Sequence, residues 1–239
     1  MKREDAFTAL QEPLQHDELL RLLGHLASTL SHELRNPLNS LTLHADFLAE
    51  ELQRPMLDRA QMAASVADIQ VEISRMHDLV QDYLGLARLV HLRREPADLG
   101  TLLDTLALEL QEKCGMHGIT LHRQGLTTLG QMMMHRNSLR RTVLNLLHNA
   151  IDAMPHGGML TLRGERTASE VRIEVRDTGH GIPVEHLALL FTPFHTTKPD
   201  GTGLGLYVAQ QIVTAHGGKI AVTSTLEQGT TFTVTLPLA

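Results

Sequence analysis

Ser31-His32-Glu33-Leu34-Arg35-Asn36-Pro37-Leu38 brings an imidazole, a carboxylate and a carboxamide into one short stretch. The stretch reads as helix, because Ala27, Leu30, Leu34, Leu38, Leu41, Ala45, Leu48 and Leu52 follow one another in steps of three or four. His32 stands outside that apolar series, so its ring is expected to face solvent or a partner. Glu33 can accept a proton or hydrogen bond from one ring nitrogen and leave the other as a nucleophilic lone pair. Asn36 lies four residues after His32 on the same helix face. Its carboxamide both donates and accepts, which suits it to orient a water molecule. Pro37 removes a backbone donor and should bend the helix there. From this stretch alone, a surface histidine on a charged helix face fits equally well.

Further along, Asn145 and Asn149 share a face of a second predicted helix, and the Asn149 oxygen can ligate a hard cation such as Mg2+. Two such asparagines would also serve as structural hydrogen bonders. Asp177-Thr178-Gly179-His180-Gly181-Ile182-Pro183 follows an apolar strand. Asp177 is placed to accept from an exocyclic amine, and Gly179 and Gly181 permit positive φ and close backbone approach. Gly201-Thr202-Gly203-Leu204-Gly205-Leu206 opens another helix, where glycine-rich backbone amides attract phosphate oxygens. It is not the dinucleotide-binding fingerprint, since no strand leads into it. The preceding Phe191-Thr192-Pro193-Phe194-His195-Thr196-Thr197-Lys198 supplies two aromatics and a cation, enough for a lid with Lys198 near the phosphates.

Several elements must position these groups. The first helix is expected from about Asp17 to Gln53 and the second from about Asp58 to His91. In the second, Met62, Val66, Ile69, Ile73, Met76, Val80, Tyr83, Ala87 and Val90 alternate steps of four and three. That is a heptad seam, and it predicts an all-α hairpin completed by a second copy into a dimeric four-helix bundle. The periodicity stops in the Arg93-Arg94-Glu95-Pro96 stretch, so residues 92–99 read as a linker between a hairpin domain at 17–91 and a second domain at 100–239. Residues 1–16 form a short polar segment. The second domain mixes helices at 99–113, 138–154 and 204–216 with strands at 119–123, 132–134, 158–166, 170–176, 219–224 and 230–236, an α+β arrangement with helices on one face of a sheet.

Composition narrows the function. The 239 residues carry a formal charge of −6, which gives no argument for a nucleic-acid partner. No apolar run approaches the roughly 20 residues that span a bilayer, and the single cysteine, Cys114, fits a reducing compartment. The expectation is a cytoplasmic protein without a membrane partner. Fifteen histidines show no paired ligand spacing for zinc.

In order, SHELRNPL, NLLHNAIDA, DTGHGIP, FTPFHTTKP and GTGLGL closely resemble the H, N, G1, F and G2 boxes of two-component sensor histidine kinases, over roughly residues 18–237. The TTKPDGTGLGL wording is most similar to the nitrogen-regulatory sensor kinases. The resemblance implies a dimerisation and phosphotransfer hairpin followed by a sandwich ATP-binding domain of the Bergerat type. It implies that His32 is the phosphoacceptor with Glu33 as its base, and that Asn149 holds Mg2+ with Asn145 in support. Asp177 would read the adenine amino group beside Gly179 and Gly181. Gly201, Thr202, Gly203, Leu204 and Gly205 would line the phosphates with Lys198. ATP and Mg2+ are the implied cofactors, with a homodimer and a response regulator receiver domain as partners. The H-E-x-x-N spacing resembles that of kinases that also dephosphorylate their regulators, with Asn36 positioning the water. Two departures stand out. Met133 and His135-Arg136 lie where relatives often have an aspartate before the N-box helix, and His148 and Asp152 have no implied role. The rival readings are an ATP-gated clamp on the same nucleotide fold and a non-catalytic regulator-binding scaffold. An acid-labile phosphoprotein excludes the first, and nucleotide binding excludes the second.

Overall fold

The computed structural model describes residues 16–87, 93–198 and 201–238. The N-terminal segment before residue 16 and the end of the second predicted helix, with Val90, lie outside the described residues.

Helix α1 (His16–Glu51) continues through Pro37, which is buried although it cannot donate to the Glu33 carbonyl one turn earlier. Helix α2 (Arg59–Ala87) returns antiparallel to it. The turn between them is fixed by Glu51, which is 1% exposed. Its carboxylate accepts from the Asp58 amide at 2.9 Å and pairs with Arg54 at 2.7 Å. Asp58 in turn caps α2 by accepting from the Gln61 amide. Leu30, Leu34, Leu41 and Leu48 are partly covered, whereas Leu38 of the same series is half exposed.

The heptad seam of α2 divides into two ranks. Met62, Ile69, Met76 and Tyr83 are partly covered within the hairpin, while Val66, Ile73 and Val80 remain exposed. Over most of its length each helix of the hairpin has only the other as neighbour, so a seam this long outlasts the surface available to cover it.

The linker stretch contains a strand that period-based reading does not reveal. Strand β1 (Glu95–Asp98) pairs antiparallel with β3 (Gln131–Met134), with Glu95 opposite Met134. Asp98 then caps helix α3 (Leu99–Met116) by accepting from the Thr101 amide at 2.6 Å. The main sheet has five strands in the order β2 (Ile119–Gln124), β4 (Gly158–Arg166), β5 (Glu170–Asp177), β7 (Gly229–Pro237) and β6 (Lys219–Thr225). β2 and β4 run parallel and the other pairs antiparallel, so the sheet is mixed. Alternate residues Val171, Ile173 and Val175 point inward with Phe232, Val234 and Leu236. Against them pack α3, helix α4 (Arg136–Asp152) and helix α6 (Gly205–Ala215), after the short helix α5 (Val184–Leu187). The core is aliphatic, with Leu103, Leu106, Leu139, Leu146 and Ile212 fully buried. Each such side chain is worth about 1.5–3 kcal/mol of transfer from water. Among the described residues, no helix is long and apolar enough to cross a membrane.

Candidate active site

On α1, His32 and Asn36 are both exposed and stand one turn apart, while Glu33 is partly covered. Among the described residues, His32 and Glu33 are not hydrogen-bonded to each other. The imidazole is therefore open to an incoming group, as expected from its place outside the apolar stripe.

Helix α4 begins without the expected aspartate. His135 supplies the cap instead: its Nδ1 accepts from the Ser138 amide at 3.3 Å and lies 2.8 Å from the Ser138 hydroxyl. The His135 amide donates to Nε2 of His216 at 3.0 Å. His216 is 2% exposed, and with Nε2 accepting, its Nδ1–H donates to the Ile212 carbonyl at 2.7 Å. Burial pushes the His216 pKa down, aided by Arg94 and His135 nearby and opposed by the Ile212 hydrogen bond. The neutral ring thus ties the end of α6 to the start of α4.

Along α4, Arg141, Asn145 and Asn149 fall at successive intervals of four and share one face. Asn145 lies against α6: a Cβ built on Gly205 would sit 2.7 Å from the Asn145 oxygen, so any larger residue there would displace the Asn145 carboxamide. The Asn149 amide group points back to the Asn145 oxygen at 3.5 Å, and the Asn149 oxygen points outward. There it accepts from Lys198 Nζ at 2.7 Å, and the same ammonium pairs with Asp152 at 2.7 Å. Asn145 Nδ2 is buried with no acceptor among the described residues. An outward carboxamide oxygen already seated on a cation, beside an unsatisfied donor, fits a site for a cation and an anionic ligand.

Asp177 ends β5 at 2% exposure. One carboxylate oxygen accepts from the Gly179 amide at 2.8 Å and the Thr230 amide at 3.1 Å. Burial pushes its pKa up against the pull of those amides. Gly181 takes the positive φ expected of it, 71°, but Gly179 does not; the latter is instead pressed on the Ala153 carbonyl oxygen, 2.4 Å from where a Cβ would lie. Phe191 and Phe194 pack on the core, anchoring the segment that carries Lys198. Gly201, Thr202, Gly203 and Leu204 then lead into Gly205 at the start of α6, and Gly203 adopts φ 65° over the Phe194 backbone.

Three contributors went unassigned in the sequence. Asp152 is one. The others form a contact between hairpin and sheet domain: Asp82 of α2 pairs with Arg141 at 2.6 Å and accepts from the Thr202 hydroxyl at 2.9 Å. Arg141 also donates to the Gln81 carbonyl. The only sequence signal for Arg141 is its interval of four from Asn145.

The family model described as His Kinase A (phospho-acceptor) domain matches residues 22–91, and the one described as histidine kinase-, DNA gyrase B-, and HSP90-like ATPase matches residues 134–239. The sensor histidine kinase ZraS of Escherichia coli strain K12 is 36% identical over 96% of this chain and 48% of its own length. Sporulation kinase D of Bacillus subtilis strain 168 is 30% identical over 97% of this chain and 45% of its own. The chain thus spans about half the length of these curated relatives. Among solved structures, histidine kinase ThkA in complex with response regulator protein TrrA superposes with a TM-score of 0.72 at 25% identity, covering 94% of this chain and 64% of that one. Full-length ShkA in complex with AMPPNP gives a TM-score of 0.66 at 30% identity, over 90% of this chain and 46% of that one. With the phosphoacceptor hairpin and the ATPase-type domain in this order and all five sequence boxes present, the chain belongs to the two-component sensor histidine kinases.

Proposed function

We propose that this chain is the kinase core of a two-component sensor, which phosphorylates its own His32 from ATP and passes the phosphoryl group to an aspartate on a response regulator receiver domain. The observation that carries the reading is the Asn149 oxygen turned onto a cation, in a chain that also exposes His32 on a separate hairpin. The functional units are residues 17–91 and 100–239, joined through 92–99 and preceded by 1–16.

The adenine amino group donates to the Asp177 oxygen that the two backbone amides leave free. The phosphates lie along Gly201, Thr202, Gly203, Leu204 and Gly205, at the N-terminus of α6. Lys198 follows the lid onto them. Asn149, oriented by Asn145, would hold Mg2+, which would supply charge neutralisation at the phosphates. The unprotonated His32 nitrogen attacks the γ-phosphorus; a P–N bond forms, the bond to the bridging oxygen breaks, and ADP leaves. Glu33 takes the ring proton. Asn36, beside His32, orients the water that hydrolyses the regulator's phosphoaspartate, which makes the enzyme bifunctional.

Two observations favour a homodimer: the exposed rank of Val66, Ile73 and Val80, and the half-exposed Leu38 on α1. The ThkA relative is solved with its regulator TrrA, which supports a receiver domain as partner. Dependence on ATP and the free buried thiol of Cys114 support a cytoplasmic site of action. Incubation with γ-labelled ATP tests the reading: it predicts an acid-labile, alkali-stable phosphoprotein, and an acid-stable label or none at all contradicts it.

A further inference from the structure

The hairpin and the phosphate loop are joined by a polar contact whose parts are all accounted for. Asp82 is largely covered, and both its oxygens are used: one pairs with Arg141 at 2.6 Å, the other accepts from the Thr202 hydroxyl at 2.9 Å. The Thr202 oxygen in turn accepts from the Leu204 amide at 3.3 Å. The contact is closely built, since a Cβ on the buried Gly85 would lie 2.6 Å from the Arg141 guanidinium and 3.3 Å from Val208 of α6.

Each of these bonds commits a group that phosphate would otherwise use. Thr202 and Leu204 belong to the glycine loop, and the Leu204 amide is among the free donors before the first turn of α6. Arg141 occupies the α4 face that also carries Asn145 and Asn149. A carboxylate that holds a hydroxyl and a guanidinium here turns two donors away from an incoming phosphate and adds a negative charge beside its path.

Resting on the proposed nucleotide site, we infer that Asp82 is a positioning residue acting across the domain contact: it holds Thr202 and Arg141 on the hairpin, so that hairpin docking lowers affinity for the nucleotide's phosphates and hairpin release raises it. Anything that rotates α2 would then change the nucleotide affinity of the loop without touching the nucleotide. The adenine end, built on Asp177, would be unaffected.

The test measures binding of ATP and of adenosine to the full chain by calorimetry, for the native protein, Asp82→Ala and Asp82→Asn. Asp82→Ala is expected to bind ATP at least about tenfold more tightly, the lower end of what one hydrogen bond to a charged group contributes, with adenosine unchanged. Asp82→Asn keeps an acceptor for Thr202 but loses the charge, so the same selective change is expected at smaller amplitude. It decides the matter if the alanine variant does not fold. Equal shifts for ATP and adenosine would show a packing effect and overturn the inference, as would weaker or unchanged ATP binding. Failure of the native protein to bind ATP at all would instead overturn the nucleotide reading itself.

Discussion

The Lys198 ammonium lies 2.7 Å from the Asn149 carboxamide oxygen and equally close to Asp152. The lid cation is thereby seated where a divalent cation would ligate Asn149, and the two compete for one oxygen. Lys198→Ala removes an exposed pair, which contributes on the order of 0–1 kcal/mol, so thermal stability should hardly change. Autophosphorylation should fall at least about tenfold, because phosphate charge loses its neutralising partner. Parallel calorimetric melting and single-turnover labelling would check both halves. A stable variant with the native rate would remove Lys198 from the site.

Asn149→Asp places a carboxylate beside Lys198 and Asp152. It strengthens the grip on the lid ammonium and repels the triphosphate, so autophosphorylation should be lost while the domain stays folded. An unchanged rate at saturating ATP and Mg2+ would contradict the assignment.

Asp177 is held as a buried carboxylate whose pKa burial raises. The unfolded chain ionises near the ordinary value of about 3.9, below the folded value, so the folded state binds the extra proton and loses stability as pH rises through this window. Asp177→Asn should therefore be at least as stable as the native protein at neutral pH, while its carboxamide still accepts from Gly179 and Thr230. Adenine-nucleotide affinity should nonetheless drop about tenfold, since a hydrogen bond to a charged group is lost. The native protein should also lose affinity as acidification protonates Asp177, at a higher pH than for an unperturbed aspartate. Affinity measured across pH for both proteins tests this, and native-like binding by the variant would contradict it.

His216 is expected to dominate a second pH effect. Its folded pKa lies below the unfolded value of about 6.5. Its stabilisation is complete above that value and is lost as pH falls from there toward the lowered one. His216→Ala leaves the His135 amide unpaired at the cap of α4 and should cost about 1–3 kcal/mol. Denaturant melts at neutral and mildly acidic pH would show the native protein approaching the variant; a constant gap between them would contradict the account.

The five boxes were legible because each is a short local pattern. His32 off the apolar stripe, Asn145 and Asn149 one turn apart, and glycines before a helix all declare themselves within a few residues. The long helices were legible from period, and the β4–β5 hairpin from alternation; the one-turn helix α5 is too short to show a period. What stayed hidden depends on distant partners. Asp82 and Thr202 meet across 120 residues and Asp82 and Arg141 across 59; no pattern in either neighbourhood marks them as partners. Strand β1 is four residues with a proline, too short to show a period, and it exists because β3 pairs with it. His135 could not be recognised as a cap because histidine is not a usual one; His216 holds its backbone in place. At Gly179 the close backbone approach was legible but its partner was not: the Ala153 carbonyl, rather than a positive φ, requires the glycine.

Asn36 separates the two proposed activities. Asn36→Ala should retain labelling of His32 from ATP and lose dephosphorylation of the phosphorylated receiver domain. Loss of both activities together, or of neither, would contradict a positioned water.

The most direct test of the account is to locate the phosphoryl group. After incubation with ATP and Mg2+, fragmentation mass spectrometry under alkaline conditions should find it on the peptide carrying His32. In His32→Gln the label should vanish while ATP binding persists, because the proposed nucleophile and the proposed nucleotide site lie on different domains. A label on another residue, or undiminished labelling of the variant, would contradict the central claim.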